Sequence, residues 1–376
     1  MELQRLKSID IFRGLCMSWM VLTHLIDWWL KNEYSWLHSI MIMILDPIGA
    51  SGFLFISGVS VSLSVRKRIM RANASEDYNY RMIRNSYLFR ALFVFIIAII
   101  YNITIAIRLL DPSMIWAWFI LLTAGVSLLL GWPLLKISKF FRIIFGLIII
   151  IINQIIITLL LPFDGDSNIY GLLFHFLYHP INQDPILIFF PFFLFGTVIG
   201  DSLFDSFLID NKNKRESVFK NNFLIPTIIF GIVLIIIGIL FRYPKFLIRE
   251  SFSWIIYSLG INIVLLSILL IFDVFNVIKT KKSYKLLFYY SYYSLTIYLA
   301  HNILYFLFLD QLNVFTIWFF VAGAFIFIGV ILRGVYKIWG GKASIKVQIG
   351  RLSYGIAIRI EENLLKKMQV IDEGKN

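Results

Sequence analysis

Ten apolar runs follow one another along the chain, near residues 11–31, 39–65, 88–107, 113–131, 142–162, 185–204, 222–241, 252–272, 286–308 and 314–333. A helix rises about 1.5 Å per residue, so roughly twenty apolar residues cross a hydrocarbon layer of about 30 Å. Hydrophobic residues make up 59% of the sequence and charged residues only 15%, which is more apolar surface than a water-soluble core can hide. The expected fold is therefore an all-α polytopic membrane protein with about ten transmembrane helices. The polar and aromatic stretch Phe163–Asp184 is expected to form a partly re-entrant cap, an eleventh membrane element.

The net charge of +13 does not describe a nucleic-acid surface, because the cations are not spread as a patch. If the N-terminus is cytoplasmic, 30 of the 35 lysines and arginines fall on the inner side, the asymmetry that sets membrane orientation. Both termini are then cytoplasmic. The first inner loop, Arg66–Asn85, is the most basic and includes Arg84, and Arg90 follows at the mouth of the third apolar run. Such arginines attract anionic lipid, and they also bind phosphate by paired hydrogen bonds. The inner loop Asp201–Asn222 reads as a solvated run of mixed charge. Residues 1–341 read as one transmembrane domain. Residues 342–376 read as a basic tail along the cytoplasmic membrane surface, with Gly350 and Gly355 weakening its helical character.

Ionisable side chains inside apolar runs are the sharpest chemical signal. Stripping their water costs several kcal/mol unless they meet a partner, a cavity or a substrate. In Leu6–Trp29, His24 lies about 16 Å beyond Arg13 along a helix, near the bilayer midplane if Arg13 marks the inner edge. Asp27 follows on the same face, placed to orient the His24 ring. His301, with Asn302 beside it, is expected mid-helix at a comparable depth, either as a structural histidine hydrogen-bonded between helices or as a second wall of the same site. Asp46, next to Pro47, would bond backbone groups freed by the kink or face a substrate. Cys16 is the lone cysteine, so no intramolecular disulfide is available. His175 and His179 have the i, i+4 spacing of a metal pair but lack further clustered ligands, and no metal is expected. Trp28, Trp29, Trp116, Trp118 and the Tyr289–Tyr293 cluster read as interfacial belt residues.

Four stretches belong together: Arg13 to His24 with ten residues between, GASGFLFISGVSVSLSVRKR at 49–68, PFFLFGTVIGD at 191–201 and YYSLTIYLAHNI at 292–303. The combination resembles the transmembrane acyltransferase superfamily. The arginine-to-histidine spacing is similar to that of the acyltransferase-3 branch. The opening RLKSIDIFRGLCMSWMVLTH resembles prokaryotic relatives of heparan-alpha-glucosaminide N-acetyltransferase. The resemblance implies a cytoplasmic acyl-CoA donor, usually acetyl-CoA, and a sugar or glycolipid acceptor at the outer face. It implies that His24 is the catalytic histidine and that Arg13 helps organise the donor. In the heparan enzyme the catalytic histidine lies later, in the first outer loop, where His38 is the nearest counterpart here.

Acyl transfer to an amine or hydroxyl needs a base for the acceptor's proton, and neutral imidazole suits that task. The thioester carbonyl gathers negative charge, for which Arg13, Ser57 and Asn302 are candidate donors. Ser57, Arg84 and Arg90 are candidate acyl-CoA contacts, and Asp46 and Asn302 candidate acceptor contacts. The expected setting is a prokaryotic plasma membrane, with lipids and a homodimer as partners and no nucleic acid. The main rival is a transporter or flippase for lipid-linked glycans, and a further reading makes His24 and His301 axial ligands of a haem.

Overall fold

A backbone crossing lipid has to satisfy its own hydrogen bonds, which leaves helices as the way to use such apolar runs. The computed structural model describes residues 6–74, 79–208, 212–244, 248–275 and 285–373. Residues 279–282, counted in the charge asymmetry, and 374–376, the end of the tail, lie outside the described residues. The helices are α1 (Lys7–Trp29), α2 (Ser35–Leu45), α3 (Ala50–Ala74), α4 (Tyr80–Leu109), α5 (Ile120–Leu134), α6 (Lys139–Leu160), α7 (Ile169–Tyr178) and α8 (Ile186–Phe207). They continue as α9 (Lys212–Val218), α10 (Ile225–Leu240), α11 (Phe252–Val274), α12 (Lys285–Tyr292), α13 (Ser294–Ala300), α14 (Thr316–Trp339) and α15 (Ile345–Glu373). Among the described residues nine helical stretches are long and apolar enough to cross a membrane. The protein is an all-α polytopic integral membrane protein.

Two expected spans are interrupted, and the interruptions shape the site. The run at 39–65 breaks between α2 and α3, where Asp46–Ile48 forms a 3-10 turn. Proline lacks an N–H and disrupts the regular ladder. The Pro47 carbonyl at the break accepts from the Ser51 hydroxyl at 2.7 Å and from the Asn262 amide at 2.9 Å. Asp46 is therefore not what satisfies the kink, contrary to one of its two sequence readings.

The run at 286–308 is not one helix but α12, α13 and a 3-10 turn over His301–Phe306. No glycine or proline marks this break. Bonds from the next part of the chain hold it. Lys346 Nζ donates to the Ser291 carbonyl at 2.6 Å, Ser344 Oγ to the Tyr292 carbonyl at 2.9 Å, and the Tyr293 hydroxyl to the Gly340 carbonyl at 2.7 Å. These bonds occupy carbonyls left over at a helix end. His301 consequently opens a turn rather than sitting mid-helix.

Small residues let the central helices approach closely. A Cβ at Gly58 of α3 would collide with the Phe193 carbonyl of α8, and one at Gly196 with the Phe55 carbonyl. In lipid, where no hydrophobic force separates helix from surroundings, such backbone proximity is what holds spans together. Beside this contact Arg142 of α6, 2% exposed, pairs with Asp201 of α8 and donates to Thr197 Oγ1 at 3.0 Å. Arg66 of α3 and Lys139 of α6 both engage Asp205. Asp201 was expected in a solvated loop, and is instead 7% exposed within this network.

Part of the expected aromatic belt is also interior, while Trp28, Trp116, Tyr289 and Tyr292 stay partly exposed. Trp29 is 1% exposed, Trp118 2%, Tyr290 0% and Tyr293 1%. Composition marks such rings as suited to an interface, but packing uses them as core. The helix α15 runs through Gly350 and Gly355 without interruption and packs along α4, burying Ile349, Ser353 and Ala357. Both glycines face open space.

Gly196→Val is expected to lower the thermal unfolding midpoint in detergent by about 5 °C or more, since overpacking costs about 1–3 kcal/mol or above when backbone blocks it. An unchanged midpoint would show that α3 and α8 can separate without loss.

Candidate active site

The breaks and the close α3–α8 contact leave a cavity of about 970 Å³ inside the bundle. Its wall on α4 includes both Arg90 and Arg108, about 27 Å apart along the helix axis and close to the thickness of a hydrocarbon core. On α1 it runs from Arg13 through His24 to Asp27. The cavity thus extends across most of the bundle, with chemically different ends.

One end is basic. Arg13, Arg68, Arg90 and Lys346 line it. Arg13 bonds the Ser60 hydroxyl, reaches the Ser291 hydroxyl at 3.4 Å, and lies 3.9 Å from Asp10. Arg68 Nη1 donates to Ser86 Oγ at 3.3 Å. Arg90 has no hydrogen-bond or ion-pair partner among the described residues, while Arg68 and Arg13 stand close enough to repel it. An uncompensated cation away from bulk water is costly, and an anion in the cavity would relieve that cost.

The middle holds the two histidines. The rings of His24 and His301 lie 5.1 Å apart, and Trp28 stacks on both, at 5.1 Å from His24 and 5.6 Å from His301. The rings are too near each other, with a tryptophan against both, to take a porphyrin between them, which removes the haem reading. The Nδ1 atom of His301 faces the Tyr298 carbonyl. A carbonyl only accepts, so the proton sits on Nδ1 and Nε2 carries the lone pair. Neither nitrogen of His24 has a hydrogen-bond partner among the described residues, and the ring lines the cavity. Tyr101, Tyr298 and Asn302 complete this level, with Asn302 Nδ2 donating to the Tyr101 hydroxyl at 2.7 Å.

The other end is mixed and mostly acidic. Arg249 donates to Asp184 Oδ1 at 2.8 Å and to the Asn182 carbonyl at 2.8 Å, and its Nε stands 3.5 Å from Asp46 Oδ2. Its guanidinium also lies over the Phe189 ring. These bonds tie the α2–α3 break to two loops. Burial, helped by the Asp46 carboxylate, pushes Asp184 up to about 6, although Arg249 pulls it down.

Nine residues singled out from sequence share this cavity: Arg13, His24, Asp27, His38, Asp46, Ser57, Arg90, His301 and Asn302. Arg84 does not. It is exposed and bonded to Asn85, on a face of α4 turned from the cavity. Asp27 is near His38, at 3.6 Å, rather than orienting His24. The i+3 spacing put it on the right face, but α2 packs closer to that turn. Ser57 spends its hydroxyl on the Phe53 carbonyl at 2.7 Å, which leaves it a poor oxyanion donor, while Asn302 commits one of its two amide hydrogens to Tyr101. His175 and His179 stack at 4.4 Å away from this cavity.

Sequence reading did not place Arg68, Tyr101, Asp184, Arg249, Tyr298 or Lys346 in the site. Arg249 was one of only five outer cations, a weak signal that was available. Tyr101 and Tyr298 are aromatic residues within apolar runs and carried none.

One cavity inside the bundle thus joins a basic end, an imidazole without a hydrogen-bond partner among the described residues and a polar far end. The family model described as heparan-alpha-glucosaminide N-acetyltransferase, catalytic, matches residues 5–237, and the chain belongs to that family. Its function is accordingly of the acetyltransferase type. Comparison with curated proteins returns no match.

A pH dependence follows from Asp184. Between the ordinary carboxyl value near 3.9 and about 6, folded Asp184 retains a proton that the unfolded chain has released. Its contribution to stability therefore falls as pH rises through that window and is flat above it. Asp184→Asn is expected to gain stability relative to wild type as pH is raised from about 4 to 6. A wild-type-to-variant difference independent of pH across that range would refute the assignment.

Proposed function

We propose that this protein transfers an acetyl group from acetyl-CoA, held at the Arg90 end of the cavity, to an amine or hydroxyl of a sugar or glycolipid admitted at the Arg249 end. The observation that carries this reading is the cavity itself, which joins unpaired Arg90 to His24 and to the Asp46–Arg249–Asp184 cluster. In this reading the basic end is cytoplasmic, in keeping with the charge asymmetry, and both termini lie on that side. Residues 1–341 form the transmembrane catalytic domain, and 342–376 its basic tail at the membrane surface. The proposed setting is a prokaryotic plasma membrane.

Each end suits its ligand. Arg13, Arg68 and Arg90 bind phosphate oxygens, so that the thioester arm extends toward His24. The acceptor enters among Asp46, Asn182, Arg249 and the rings of Trp28 and Tyr101, groups that hydrogen-bond and stack on sugars. His24 then takes a proton from the acceptor's O–H or N–H as its lone pair bonds to the acyl carbon. The tetrahedral intermediate collapses by breaking the C–S bond, and the imidazolium returns the proton to the departing CoA sulfur. Trp28 holds the His24 ring in place, and His301, with its proton committed to Tyr298, forms the opposing wall. A lipid-linked glycan transporter would use a through-running cavity too, but family membership and the unbonded imidazole support transfer over translocation.

The test is acetyl-CoA binding and CoA release by the purified protein in nanodiscs. His24→Ala is expected to keep acetyl-CoA binding and lose turnover by about 10²–10⁴-fold, the usual scale for removing a general base. Arg90→Ala is expected to weaken acetyl-CoA binding by about tenfold, a loss of about 1.4 kcal/mol, with the fold unchanged. Turnover that survives in His24→Ala would overturn the assignment of the base, and loss confined to His38→Ala would move it to α2. No saturable acetyl-CoA binding at millimolar concentration would overturn the donor.

A further inference from the structure

The matched family region ends at residue 237, yet part of the cavity's basic end is built by the last helix of the chain. Lys346 and Ile349, in the first turns of α15, line the cavity beside Arg13, Arg68 and Arg90. The juxtaposition is specific. Ser291, at the end of α12, receives Arg13 on its hydroxyl at 3.4 Å and Lys346 on its carbonyl at 2.6 Å, so the two cations meet through one residue. The same serine donates to Asp10 at 3.2 Å, which brings the start of α1, the α12–α13 break and the start of α15 to one point.

The rest of α15 is anchored firmly enough for Lys346 to hold its place. Ser344 and Tyr293 bond across the break, Ile345 N donates to Thr296 Oγ1 at 3.2 Å, and Ile349 is 5% exposed. Farther along, Asn79, which caps the start of α4, donates to Glu361 at 2.8 Å. Arg90 is on that same helix. The tail and α4 therefore pack side by side, and Lys346 and Arg90 line the same basic end from neighbouring helices.

We propose that α15 is a working part of the donor site, in which Lys346 binds a phosphate group of the donor alongside Arg13, Arg68 and Arg90. This inference rests on the acyl-CoA reading above. A polyphosphate among several cations gains attraction from each of them. The Lys346 ammonium is a compact charge with three donors on a flexible four-carbon stem, suited to reaching an oxygen anion, whereas each arginine presents a planar fork.

The experiment compares wild type, Lys346→Ala and Lys346→Arg in nanodiscs, using two probes: acetyl-CoA and S-acetylpantetheine, the same thioester arm without phosphates. Lys346→Ala is expected to weaken acetyl-CoA binding by about tenfold and leave S-acetylpantetheine binding unchanged, and Lys346→Arg to stay within about threefold of wild type for both. Equal loss for both probes in Lys346→Ala would mean that the lysine only braces the α12–α13 break, and would overturn the proposal. Unchanged acetyl-CoA binding in Lys346→Ala would overturn it as well while leaving the acyl-CoA reading intact. Failure of wild type to bind acetyl-CoA would remove that reading and this inference together.

Discussion

The guanidinium of Arg142 is withdrawn from solvent in the middle of an apolar bundle, and the Asp201 carboxylate is what permits it to be there. Removing either partner would leave a buried charge alone, at a cost of several kcal/mol. The same requirement governs the whole interior. Arg66 and Lys139 share Asp205, Arg249 is placed between Asp46 and Asp184, and Arg13 is bonded on several sides. Arg90, which lines the cavity, has no such partner among the described residues. Where pairing is complete the charges hold helices together, and where it is incomplete they define a place for a ligand.

The helix breaks are the second device. A straight helix over 39–65 or 286–308 would present its side chains to neighbours in one continuous stripe. The 3-10 turn at Asp46–Ile48 instead brings Asp46 inward to Arg249, and the turn after Ala300 carries His301 across to His24 and Trp28. Close approach of α3 to α8, permitted by Gly58 and Gly196, fixes the opposite wall. The site is thus made by departures from helical regularity in a protein otherwise built of regular helices.

Much of the site was legible because charge inside an apolar run is conspicuous. Arg13, His24, Asp46, Arg90 and His301 stood out for that reason, and all of them line the cavity. Arg84 stood out equally and does not, since a position within a helix says nothing about which way a side chain faces until packing is known. Asp27 failed more subtly: its face was right, but the partner it found, His38, came from a neighbouring helix. Tyr101 and Tyr298 were not legible at all, because an aromatic residue in an apolar run is equally at home in a core, against lipid or on a substrate.

Sequence alone determined the number of apolar runs, the asymmetry of their flanking charges and the presence of ionisable groups at depth. These follow from local composition, and bilayer physics constrains local composition strongly. Only the tertiary structure decided that the run at 286–308 breaks after Tyr292, that Trp29, Trp118, Tyr290 and Tyr293 are core, and that the last helix supplies a cation to the same end as the first. Those features depend on bonds between segments as far apart as Arg13, Ser291 and Lys346. No single window of sequence contains them, because the carbonyls freed at the break and the lysine that takes one of them meet only when the chain has folded.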